Sequence, residues 1–485
     1  MGRNFVLIFL VILIGCTHKA QKDFSVVDQY PTIYPDYSSI TIPSNIAPLN
    51  FKIEEPGDSY FVKLIFKNAE EISQASSNGI IKFNVKKWKK LLHDNNGTNF
   101  TIDIYISNDG KWKKYKSISN SISNDPVDPF LAYRLLYPGY ESWSEISIKQ
   151  RCVENFKEYS LIENSIAEDN CVNCHSFNNG NPDKMMFHMR GSLGATYFVT
   201  EEGIQKFNLK TKEMKNGAVY PRWHPSGNFV AFSSNKIIQQ FHAASEKNVE
   251  VTDLESSLIL YDVEKNEISP MNFLNAENYM DTYPEWSPDG KTLFFCRAAQ
   301  VAQEFNIQDI KYDLYKVSFN PVTKVFGDEE LVFNADALSK SVSFPRVSPD
   351  GSFLVFTLHN YGAFPIWHKE ADLYILDLNS GWVKNMDSNS ELADSYHTWS
   401  SNGRWLVFSS KRDDELSARP YFTYISSSGK SSKAFVLPQK DPEFYRKFLK
   451  TYNVPELAIG KVELTPGSIS RAIKSETINA EWAGQ

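Results

Sequence analysis

Cysteine is scarce in this chain, at five among 485 residues. Scarcity lets each one be assigned. Basic excess is also missing. Lys and Arg number 51 against 58 Asp and Glu, the net charge is −7, and the pI is near 5.8. That balance excludes the electrostatic footprint of a nucleic-acid binder. Long apolar runs are absent beyond residues 5–14, and that run is too short for a comfortable membrane span. No G-x-S-x-G nucleophile elbow occurs, and too little chain follows residue 440 to build an α/β-hydrolase. No carboxylate pair stands out among the acidic residues. An enzyme is therefore not the expected reading.

What is present begins with Cys171-Val172-Asn173-Cys174-His175. C-x-x-C-H is the spacing of covalent c-type haem attachment. Two thiols form thioethers with one porphyrin, and the adjacent His175 reaches the iron as its metal ligand. Met185, Met186, His188 and Met189 follow within fourteen residues, and His188 or Met189 is the expected sixth ligand. Two other chemistries remain open for the motif. One is a zinc site completed by His188. The other is a dithiol redox pair.

The amino terminus sets the compartment. Arg3, the apolar run and Gly15-Cys16 match a bacterial lipoprotein export signal, with Cys16 lipidated as the first mature residue. Residues 1–16 are read as signal and lipid site. The expected location is the cell envelope, on the periplasmic face of the outer membrane and anchored by lipid. Cys152 and Cys296 are left over. Cys296 ends the apolar run Leu293-Phe294-Phe295, so a buried core role is expected ahead of a disulfide between the two.

The body reads as mainly β, rich in Phe, Tyr and Trp. Residues 17–48, broken by four prolines, are expected as an extended tether. Residues 49–124 alternate in strand fashion between glycines and predict a small β-sandwich. The run Lys86-Lys87-Trp88-Lys89-Lys90 within them reads as a solvated face. Residues 125–190, with Leu131, Leu135 and Leu136 at helical spacing, predict short helices and loops around the C-x-x-C-H motif.

Residues 191–440 repeat. Tyr220-Pro221-Arg222-Trp223-His224-Pro225-Ser226-Gly227 returns as Tyr283-Pro284-Glu285-Trp286-Ser287-Pro288-Asp289-Gly290. It returns again as Phe344-Pro345-Arg346-Val347-Ser348-Pro349-Asp350-Gly351 and as Tyr396-His397-Thr398-Trp399-Ser400-Ser401-Asn402-Gly403. Each copy precedes an apolar strand, and Pro, Asp or Asn, and Gly make the intervening turn. A second hairpin follows each, which makes four-stranded blades in series. These residues resemble the repeats of TolB-type periplasmic β-propellers over about 195–437. The fourth copy departs, with His397 for Pro and Ser401-Asn402 for Pro-Asp. The overall order resembles bacterial lipoproteins that join a β region, a C-V-N-C-H segment and such a propeller.

The resemblance implies five or six blades. Thr196-Tyr197-Phe198-Val199 belongs to a fifth, and Lys461-Val462-Glu463-Leu464, within a 441–485 extension, is the candidate for its closing strand. Two functions are carried forward. One is a c-type haem protein that passes electrons or senses redox state, with the propeller as a docking platform for an envelope protein partner. The other is an interaction scaffold in which C-x-x-C-H is structural or binds metal. His224, His368 and His397 are noted as channel candidates, with structural roles expected for each.

Overall fold

Six sheets, each built on four antiparallel strands, follow one another around an axis, and their innermost strands touch in ring order. The computed structural model describes residues 23–68, 70–139, 145–167, 170–242, 247, 249–271, 278–302 and 304–484. Cys16 and the expected export signal, residues 1–16, lie outside the described residues. Among the described residues no helix is long and apolar enough to cross a membrane.

Blades 3 to 6 carry the four sequence repeats on their innermost strands: Ala218–Trp223, Tyr279–Trp286, Ser341–Val347 and Asp394–Trp399. Blade 2 runs from Cys171–Phe177 through Met185–Arg190 and Ala195–Thr200 to Gly203–Asn208. Blade 1 is built from two distant pieces. Phe130–Leu136, Ser147–Cys152 and Glu158–Glu163 form its outer three strands, and Thr451–Ala458 supplies the innermost one. The ring is thus a closed six-bladed propeller, sealed by a carboxyl-terminal strand.

Three expectations change here. The closing strand is Thr451–Ala458 in blade 1, whereas residues 461–464 lie beyond it. Residues 125–190 are mostly strand, so the predicted helices there are a correction. Phe130–Leu136 is buried on both faces between neighbouring blades, Arg134 included, and a short, largely apolar buried segment cannot be told from a helix by periodicity. Residues 33–48 are not a free tether, because Tyr37, Ile40, Ile42 and Ile46 are buried in the main core.

The amino-terminal region forms a seven-stranded sheet and a three-stranded sheet beside blades 5 and 6. Its helix, Val85–Asp94, is the lysine-rich run. The Asn84 side chain accepts from the Lys87 backbone N–H at 3.1 Å and starts it. Trp88, Leu91 and Leu92 form the buried stripe at i, i+3 and i+4, and the lysines face outward. Lys52 to Glu443 at 2.8 Å and Lys433 to Asp36 at 2.6 Å tie this region to the ring.

The tail closes the outside. Helix Pro466–Lys474 starts on a Thr465 capping box and buries Ile469, Ala472 and Ile473 in the core shared by blades 1 and 2. Ile478–Asn479 then pairs with the outer strand of blade 2, and Glu481–Trp482 with that of blade 3. Cys152 and Cys296 are both free and buried, in blades 1 and 4. The core role expected for Cys296 holds.

Candidate functional site: the axial cavity

Each innermost strand breaks register once, at the same place in the repeat. The residue at the break has a left-handed backbone in all six blades. These are Val454 (φ 47°), Cys174 (49°), Tyr220 (51°), Tyr283 (51°), Phe344 (56°) and Tyr396 (48°). Positive φ is uncommon for residues other than glycine and costs free energy. Its recurrence six times makes it a built feature, since a bulge re-aims the side chain it carries. All six side chains line one cavity of ≈ 170 Å³ on the propeller axis.

The C-x-x-C-H motif is therefore the blade 2 copy of the repeat. Cys174-His175-Ser176-Phe177 occupies the place of Tyr220-Pro221-Arg222-Trp223, and Val454-Pro455-Glu456-Leu457 is the blade 1 copy. Tryptophans in the repeat staple one blade to the last. Trp223 Nε1 donates to the Ser176 carbonyl at 3.3 Å, Trp286 Nε1 to the Arg222 carbonyl at 3.3 Å, and Trp399 Nε1 to the Arg346 carbonyl at 3.1 Å.

Two residues beyond each bulge, the strands place Ser176, Arg222, Glu285, Arg346, Thr398 and Glu456 across the channel as a polar floor. A second cavity of ≈ 280 Å³ lies on its far side. Arg222 Nε meets Glu285 Oε2 at 2.5 Å, and Arg346 Nη1 approaches the same carboxylate at 3.5 Å. Glu456 accepts from the Phe177 backbone N–H at 3.0 Å. Burial pushes its carboxyl up to about 7.

The mouth is covered on one side. The blade 3 hairpin, Phe229–Phe241 and Val249–Asp262, outruns its neighbours and contributes Ile237, Gln239 and Val251 to the wall. Phe364, Ile366 and Trp367 of blade 5 face it. Lys247 joins the two, donating to Glu250 at 2.9 Å, Tyr361 at 3.1 Å and His368 Nε2 at 3.0 Å.

The predicted haem residues separate. Cys174 and His175 line the cavity, whereas Cys171, His188 and Met189 do not. Cys171 is half-buried at the strand's start, and burial raises its thiol. Met189 is buried in the core shared by blades 1 and 2. His188 is buried beside Phe232, with Nδ1 2.8 Å from Thr196 Oγ1. The expected sixth ligands are thus not brought to His175. His175 itself is buried, its ring bonded to the Val454 backbone, with Nε2 unpartnered and 4.0 Å from Glu456 Oε2. Among the described residues no group of three or more His, Cys, Asp or Glu is placed to hold a metal ion. The cavity's ≈ 170 Å³ is below the roughly 300–1,000 Å³ of drug-sized sites, and a tetrapyrrole is larger than such ligands. As the strand stands, the residues do not fit an enclosed haem.

None of His224, His368 and His397 lines the axial cavity. His224 sits between Ser226 Oγ at 2.7 Å and the Gly290 carbonyl at 2.9 Å. His397 Nε2 donates to the Val355 carbonyl at 2.8 Å. The residues missed from sequence are the bulge positions, Tyr220, Tyr283, Phe344 and Tyr396 among them. The signal was the repeat itself, extended to Cys174 and Val454.

Burial makes the fold sensitive to acid. His175, His188 and His397 are each pushed down to about 3 from 6.5. The unfolded chain binds protons there that the folded chain refuses, so each costs stability as pH falls from 6.5 toward 3. Glu456, raised from 4.5 to about 7, and Asp253, raised from 3.8 to about 6, act oppositely. Among the groups shifted this far, three imidazoles against two carboxyls leave a net loss, and the buried His359, also pushed down, adds to it. The urea midpoint is expected to be lower at pH 4.5 than at pH 6.5, with a flatter profile in His397→Gln. An unchanged midpoint would contradict the buried neutral histidines.

The comparisons with known proteins come to fold alone. No protein family and no curated protein matches this chain in sequence. Among solved structures, an oligogalacturonate lyase from Vibrio parahaemolyticus is similar at 14% identity and TM-score 0.33, covering 59% of this chain and 85% of its own. Prolyl oligopeptidase B from Galerina marginata is similar at 11% identity and TM-score 0.37, covering 64% of this chain and 44% of its own. A puromycin-hydrolyzing peptidase from Mycobacterium tuberculosis is similar at 9% identity and TM-score 0.35, covering 86% of this chain and 57% of its own. No activity is carried over from them. The propeller rests on the six sheets described above.

Proposed function

We propose that the protein is an exported, lipid-anchored binding propeller whose axial cavity is its ligand site. On this reading the C-x-x-C-H strand is one of six walls, and the propeller faces carry an envelope partner. The observation that supports it is convergence. Six strained residues, one from each blade, meet around one cavity that also holds unpartnered buried polar atoms. Strain repeated in this way fits a binding site better than a packing core.

A second reading is covalent haem with electron transfer. It is favoured by His175, whose ring is held by a backbone group while Nε2 stays free, as in metal-ligating histidines. It requires the cavity to open and Cys171 to join it.

One experiment separates the two. The protein is purified from a host with c-haem maturation and weighed natively and denatured. The binding reading expects a small-molecule increment in the native mass only, lost in Val454→Phe, which fills the cavity. Haem instead gives an increment that survives denaturation, with a Soret band abolished by Cys174→Ser. If neither increment appears, the cavity is not a ligand site.

A further inference from the structure

From this same cavity we infer that the ligand is a single-ring aromatic carboxylate. The inference rests on the cavity being the binding site, and it does not involve haem.

Size comes first. The cavity's ≈ 170 Å³ is close to the roughly 150 Å³ of an apolar cavity that takes up one benzene. One ring fills it. Wall chemistry comes second. Tyr220, Tyr283, Phe344 and Tyr396 form a continuous arc, with ring centroids 4.6, 5.8 and 5.1 Å apart in turn. Such an arc offers faces and edges to a flat ring and selects against a saturated one.

The third observation is a surplus of donors. Among the described residues, Tyr283 Oη and the Nε of Arg346 have no partner. Both residues are more than nine-tenths buried and line the cavity. An unmade buried hydrogen bond costs about 1–3 kcal/mol, so the pair is poised for an acceptor-rich ligand group. Charge points the same way. Arg134, Arg190, Arg222 and Arg346 line the cavity, and the carboxylates at it and its floor are two, Glu456 and Glu285. The Arg346 guanidinium lies 3.7 Å from the centre of the Phe344 ring. It can thus meet a ligand carboxylate where that ligand's ring meets the aromatic arc. A cation or a neutral hydrocarbon satisfies none of these donors.

The test titrates the full-length protein with four probes by calorimetry: benzoate, 4-hydroxybenzoate, benzyl alcohol and cyclohexanecarboxylate. Both aromatic acids are expected to bind at least tenfold tighter than the alcohol or the saturated acid. Tyr283→Phe is expected to weaken benzoate about tenfold, the worth of one hydrogen bond to a charged group. Its ligand-free thermal midpoint should be unchanged or higher, because the variant removes an unsatisfied hydroxyl. Equal binding of benzyl alcohol overturns the carboxylate, and equal binding of cyclohexanecarboxylate overturns the ring. A native mass increment that neither aromatic acid displaces overturns the ligand class and leaves the cavity reading standing. No increment and no binding overturns both.

Discussion

A chain ending at Lys450 is expected to show no cooperative unfolding transition at 25 °C. The truncation removes Thr451–Ala458, the innermost strand of blade 1. Phe130–Leu136 would then present an unpaired edge to the axis, along the whole length it now spends against that strand. Tyr452 and Leu457, almost fully buried, would leave the core. Each such side chain is worth about 1.5–3 kcal/mol in burial alone. The floor would lose Glu456 and the cavity wall Val454. The tail that ties down blades 2 and 3 would go with them. Whole-domain stability is only about 5–15 kcal/mol, so these losses together consume it. Circular dichroism during urea titration is the measurement. Adding the peptide 451–485 in trans should restore a transition. A truncated chain that unfolds at the full-length midpoint would mean that the ring does not depend on its closing strand.

The second large effect is expected inside blade 4. Arg297 clasps Asp281 through Nε at 2.7 Å and Nη2 at 2.9 Å, and Nη1 reaches Glu329 at 3.3 Å. Its guanidinium lies 4.7 to 5.4 Å from the rings of Tyr279, Phe295 and Tyr315. Burial raises the Asp281 carboxyl despite this partner. Arg297→Met leaves that carboxylate buried without compensation, which costs about 3–5 kcal/mol for pairs of this kind. Asp281→Leu combined with Arg297→Met removes both charges and should recover most of the loss. The single variant should also recover stability as pH falls, because a neutral Asp281 no longer needs the cation. Urea midpoints of the two single variants and the double variant, at pH 7 and pH 5, give the cycle. A double variant as unstable as Arg297→Met would show that packing around the guanidinium, and not the charge pair, is what matters.

The legibility of this fold followed the repeat. Blades 3 to 6 announce themselves because Tyr220, Tyr283, Phe344 and Tyr396 keep an aromatic before a Pro or His, with a Gly seven residues on. Blades 1 and 2 hide because Val454 and Cys174 replace that aromatic, with Gly460 and Gly180 only six residues on. The amino-terminal helix hides because its lysines outnumber the three residues that anchor it.

The sequence by itself determined the blade unit, its turn chemistry and the mainly-β class, because those follow from local spacing and from what Pro, Asn and Gly do to a backbone. Only the tertiary structure decided ring closure, because the strand pair that makes it joins residues more than 300 positions apart. It also decided the site. Whether Cys174 and four aromatics face a core or a channel depends on one left-handed residue per blade. That conformation is imposed by packing around the axis, against the local preference of every side chain that adopts it.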